Sequence, residues 1–176
     1  MKRTRFMAVC AMLSAMAVIL QLMAAFIPKV GGFLDIEFSD LPAIIGTLAL
    51  GPLCGVLVEL IKNVVHCAFT TTGFVGELAN FVVNGTFVLV LGLIYKAHKT
   101  KKTAIIGFAA ATLVCTITAM AANYFLMFPL YMPDAPKNVI WTMILSTVTP
   151  FNIVKGIVLS VITLLIYKKL SPIIKG

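Results

Sequence analysis

The chain has 176 residues, of which 61% are hydrophobic and 11% charged. A soluble domain of this size cannot bury so much apolar surface. The sequence therefore reads as an all-α integral membrane protein, since its apolar runs have helical length and lack the short alternating strands of a membrane barrel.

The formal charge of +8 does not point to nucleic acid, because most of the 14 basic residues gather in three places. Lys2, Arg3 and Arg5 precede the first apolar run. Lys96, Lys99, Lys101 and Lys102 form one short loop, and Lys168, Lys169 and Lys175 lie at the end of the chain. Asp35, Glu37, Asp40 and Asp134 fall in the loops between. By the positive-inside rule, both termini are expected in the cytoplasm.

The first span is predicted from about Phe6 to Ile27. Its apolar run exceeds the roughly 7–15 residues of a signal-peptide core, so it is expected to be a retained helix. Pro28 and the Gly31-Gly32 pair end it, and the outer loop "PKVGGFLDIEFSD" follows. Ser39 or Asp40 is suited to cap the next helix, with Pro42 in its first turn. That helix, near Leu41 to Leu50, stops at Gly51-Pro52 and is too short for a hydrocarbon core needing about 20 residues. A run from Leu53 to Phe69 returns outward, and "TTTGF" is an outer loop. The next spans are predicted from about Gly76 to Tyr95 and from about Thr103 to Phe128, joined by the lysine loop "KAHKTKK". "PLYMPDAPKN" reads as an outer loop, and "VIWTMILST" as a short amphipathic stretch. Pro150 opens a last span ending near Tyr167. With no repeat, linker or soluble part, residues 1–176 are expected to be one compact six-transmembrane-helix bundle, multi-pass in the cell membrane and surrounded by lipid.

Polar residues within the spans fall on helical faces. Glu59, Lys62, Asn63 and His66 recur at i, i+3, i+4 and i+7, and Glu77, Asn80 and Asn84 at i, i+3 and i+7. Asn152 and Lys155 open the last span, and Asn123 lies near the outer end of the fifth. Ionisable groups in lipid must face the bundle interior or a wet cavity, so a polar pocket is expected in the outer half. Glu59–Lys62 or Glu77–Lys62 pairs that hold helices in register are an equally good reading of the third-span cluster. No acid stands near Lys155 in the neighbouring spans. A ligand rich in acceptors accounts for such a donor set, for example a planar heterocycle with carbonyl or imide edges seated among apolar side chains. The four cysteines, Cys10, Cys54, Cys67 and Cys115, have no metal spacing and read as small buried apolar residues. No phosphate-binding loop, metalloprotease motif or nucleophile elbow is present, so neither catalysis nor a metal or cofactor is expected. Ala11 and Ala15 form a small-xxx-small pair on the first span, suited to close approach of another helix.

In this order, the motifs "SDLP", "GPLCGV", "ELIKN", "GELANF", "NYFLMFPLY" and "FNIVKG" resemble the riboflavin-binding S components of energy-coupling factor (ECF) transporters, the RibU family. The resemblance covers nearly the whole chain. It implies a membrane subunit that binds riboflavin from outside and carries it as transported ligand, not as cofactor. It further implies docking on one transmembrane T component and two ATP-binding subunits, with Ala11 and Ala15 as the contact. The family's ring-binding residues match Asn123, Asn152 and Lys155. The outer loop, about Phe33 to Leu41 and including Phe38 and Asp40, is expected to cap the pocket. Glu59, Lys62, Asn63, Glu77 and Asn80 match family motif positions as pocket-lining or structural residues. The same fold serving a pterin, pyrimidine or thiamine relative is the alternative. A small membrane enzyme or a channel is a further one, weakened by apolar inner halves of the fourth and sixth spans.

Overall fold

A computed structural model of the chain describes residues 3–24, 38–70 and 74–175, with side chains as far as Ile166. All regular structure among these residues is helical. Among the described residues, four helices are long and apolar enough to cross a membrane: α1 (Arg3–Ala24), α4 (Val75–Ala97), α5 (Lys101–Tyr131) and α6 (Lys137–Ile166, helical onward to Lys175). Between α1 and α4 lie α2 (Asp40–Leu50) and α3 (Pro52–His66). At 1.5 Å per residue these are about 16 and 22 Å long, short of a hydrocarbon core of about 30 Å.

In α1, Cys10, Ser14, Ala17, Gln21 and Ala24 are buried, a spacing of three and four that lines one face. That face packs on α2 and α3. The other side carries exposed Met7, Met12, Met16, Ile19 and Met23, as a lipid-facing surface requires. Buried nearly all round, α2 sits against α1, α3, α4 and α6. It ends at Gly51, whose φ of +102° suits a residue without Cβ, and Pro52 then opens α3, where a missing N–H costs nothing. Ser39 precedes α2 but makes no side-chain cap. Contrary to the capping expectation, its hydroxyl and the Asp40 carboxylate are both engaged by a lysine.

Two predicted boundaries are overturned. Helix α5 runs past Phe128 through Pro129 to Tyr131, and the stretch before Pro150 is continuous with the last helix. In each case one widened (π) turn comes first, Asn123–Met127 in α5 and Ile144–Val148 in α6. The amides of Phe128 and Thr149 then bond five residues back, to the carbonyls of Asn123 and Ile144. Each proline follows directly. A proline ring collides with the carbonyl four residues before it, and a widened turn relieves that collision. Thr149 Oγ1 also donates to the Ile144 carbonyl at 2.9 Å.

The cysteine expectation also changes in part. Cys10 and Cys54 are paired across α1 and α3, with Cα atoms 5.9 Å apart, a separation a disulfide spans. Cys67 and Cys115 are free.

Candidate functional site

Helices α2, α4, α5 and α6 enclose a cavity inside the bundle. Its polar lining is Asp40, Asn84, Asn152 and Lys155, and its apolar wall includes Phe87, Val88, Cys115 and Leu159. The enclosed void is about 10 Å³, room for about one water.

Each polar side chain is placed by its helix. Asn152 stands one turn beyond the widened turn of α6, and its Nδ2 donates to the Val148 carbonyl at 2.8 Å. Asn123 begins the widened turn of α5 and donates in the same way to the Ala119 carbonyl at 2.8 Å. In both, the helix's own carbonyl fixes the amide. Both asparagines are buried, yet only Asn152 lines this cavity; Asn123 lies about two turns beyond Cys115 along α5. Asn84, on α4, donates to Asn80 Oδ1 at 3.0 Å, and its Oδ1 is 3.5 Å from Lys155 Nζ.

The charged groups form one connected set. Lys62 Nζ lies 2.5 Å from Asp40 Oδ1, 2.8 Å from Glu59 Oε2 and 3.1 Å from Ser39 Oγ. Lys155 Nζ lies 2.8 Å from Asp40 Oδ2. The reading that Lys155 has no acid nearby is therefore wrong. Its partner comes from the short re-entrant helix α2, which is distant in the chain and looks like a helix cap in the sequence. Asp40 and Glu59 balance Lys62 and Lys155, so the set is formally neutral, as burial demands. A carboxylate in the first turn of α2 is further favoured by the helix dipole.

Among the third-span residues, Glu59 and Lys62 pair within α3 (i, i+3), so the contact that ties Lys62 to another helix is the one to Asp40 of α2. Asn63 Nδ2 donates to the Glu59 carbonyl at 2.8 Å. Glu77 Oε1 lies 3.0 Å from His66 Nδ1, tying α3 to α4. Leu41 is half-buried and Phe38 is 41% exposed at the N-terminal side of α2. Phe33 lies outside the described residues. Asn84, which the sequence marks only as a polar position, joins the site; its i+7 spacing from Glu77 sets both on one face of α4. Ala11 and Ala15 are exposed on α1, so the pair is not consumed by packing within the chain.

Comparison with known proteins adds the family. The model for the ECF transporter, substrate-specific component, matches residues 5–167. The chain belongs to that family. It is a component of a transporter, and its fold is that of an S component. A solved structure described as "Structure and mechanism of the S component of a bacterial ECF transporter" superposes with a TM-score of 0.84 at 35% identity, covering 99% of this chain and 100% of that one. Riboflavin transporter RibU of Staphylococcus aureus (strain TCH60) is 36% identical over 99% of this chain and 95% of its own length. Riboflavin transporter FmnP of Bacillus subtilis (strain 168) is 34% identical over 97% and 94%.

Proposed function

We propose that this ECF S component binds riboflavin and hands it inward. The observation that carries the reading is the cavity lined by polar Asn84, Asn152 and Lys155 together with apolar Phe87, Val88 and Leu159. A flavin has the matching chemistry: flat apolar rings and an edge of carbonyl and ring-nitrogen acceptors. Lysine supplies donors only, whereas asparagine supplies a donor and an acceptor together. The similarity to proteins named riboflavin transporters supports the same ligand.

Asn152 and Lys155 are the primary ring contacts in this reading, joined by Asn84 and, toward the end of α5, by Asn123. Phe38 and Leu41, at the start of α2, stand at the mouth in this reading. Glu59, Lys62, Asn63, Glu77 and Asn80 form the supporting shell. Ligand sites of drug size occupy roughly 300–1,000 Å³, so side chains at the mouth part when riboflavin enters. Residues 1–176 act as one transmembrane unit in the cell membrane, with both termini cytoplasmic, as the distribution of lysines and arginines indicates. The exposed Ala11 and Ala15 on α1 meet a transmembrane T component, and two ATP-binding subunits drive the cycle.

The test is an absorbance spectrum of the purified protein followed by titration with riboflavin, read as quenching of flavin fluorescence. A yellow preparation, or saturable one-to-one quenching, is the expected result. A colourless protein that leaves riboflavin fluorescence unchanged removes riboflavin as the ligand.

A further inference from the structure

We infer that Asp40 is a positioning residue for the Lys155 donor, and that Lys62 holds Asp40 in place for it. The inference rests on the riboflavin-binding reading above.

The order of contacts carries it. Asp40 is 2% exposed at the start of α2. Its Oδ1 is held at 2.5 Å by Lys62 Nζ. Lys62 is itself fully buried and meets Glu59 Oε2 at 2.8 Å and Ser39 Oγ at 3.1 Å. An ammonium has donors only, and this one donates to Ser39 Oγ and Asp40 Oδ1 while Glu59 adds a counter-charge beside it. The Asp40 carboxylate is thus fixed by partners that do not involve α6. Its second oxygen reaches Lys155 Nζ at 2.8 Å. Both side chains line the cavity.

Lysine is a point charge on a flexible four-carbon stem. Without the Asp40 charge beside it, the Lys155 ammonium would be held less firmly, and a ligand would have to gather it. A carboxylate anchored on α2 holds the ammonium at one place before the ligand arrives, and such preorganisation strengthens binding. Asp40 also keeps the buried set neutral, so an uncharged ring meets no uncompensated charge. Asp40 acts on the ligand through Lys155, which distinguishes it from the residues that contact the ring.

The test is a double-mutant cycle in riboflavin affinity: wild type, Asp40→Asn, Lys155→Gln and the double variant, each first shown to melt cooperatively. Asp40→Asn alone is expected to weaken riboflavin roughly 10-fold or more, the scale of coupling between close charges in a buried site. In the Lys155→Gln background the same change is expected to cost nothing further, because the group it positions is gone. A merely structural Asp40 would cost the same factor in both backgrounds. That additivity, or wild-type affinity in Asp40→Asn, overturns the inference. Should Asp40→Asn not fold, Asp40→Glu keeps the charge but moves the carboxylate, and it is read against Lys155→Gln by the same criterion. A wild-type protein that ignores riboflavin overturns the ligand reading and this inference together. A wild type that binds, with additive losses in the variants, overturns the positioning role alone.

Discussion

Gly156 on α6 lies hard against Thr112 on α5: a Cβ at Gly156 would come within 2.6 Å of both Cγ2 and Oγ1 of Thr112. The glycine lets the two helices close on each other beside Lys155, where it forms part of the cavity wall. Gly156→Ala gains up to about 1 kcal/mol of helix propensity, but overpacking costs about 1–3 kcal/mol. The expected net result is a loss of stability in thermal unfolding and weaker riboflavin binding. Thr112→Ala in the same chain should recover part of both. A Gly156→Ala protein as stable and as avid as wild type would mean that α5 and α6 can separate freely there.

The two buried-set lysines should respond differently to removal. Lys62 is fully enclosed with Asp40 and Glu59. Lys62→Met leaves two buried carboxylates short of a cation, and breaking such a pair costs about 3–5 kcal/mol. Lys155 is half-buried at the cavity, so Lys155→Gln is expected to cost less stability and more affinity. Melting curves of the ligand-free variants, set beside riboflavin titrations, separate the two. The same ratio of stability loss to affinity loss in both would contradict this division of labour.

Ala11 and Ala15 face outward from α1. Ala15→Leu, or Ala11→Leu, should therefore leave folding and riboflavin titration unchanged. Close helix approach depends on small residues, so uptake by cells supplying the coupling module should fall. Undiminished uptake would place the docking face elsewhere.

Cys10 and Cys54 are paired between α1 and α3, while Cys67 and Cys115 are free. Alkylation of the unfolded protein without reductant should label Cys67 and Cys115 alone, and prior reduction should add Cys10 and Cys54. Mass spectrometry reads the difference directly. Labelling of all four without reductant would show that the two thiols are neighbours without a bond.

Much of the bundle is legible from local pattern. Runs of apolar residues locate α1 and α4, and Gly51-Pro52 marks the reversal between α2 and α3, because a positive φ and a helix-opening proline are properties of the residues themselves. The prolines at 129 and 150 mislead for the same reason. A proline normally ends a helix, and the widened turns that admit these two are made by the surrounding packing, not announced by the local sequence. Asn152 and Lys155 stand out because a polar pair in an apolar span needs a partner. Asp40 does not stand out, because an acid before Leu41-Pro42 is also what a helix start looks like.

The sequence by itself determined the solvent, the helical class, the number of segments and the inward faces, since hydropathy and a 3.6-residue period act along a single stretch of chain. Only the tertiary structure decided the partners: Asp40 shared between Lys62 and Lys155, Glu77 given to His66, and Gly156 closed on Thr112. These choices depend on how helices far apart in the chain pack together. A buried charge accepts any counter-charge that packing brings within reach, so its partner is a property of the assembled bundle.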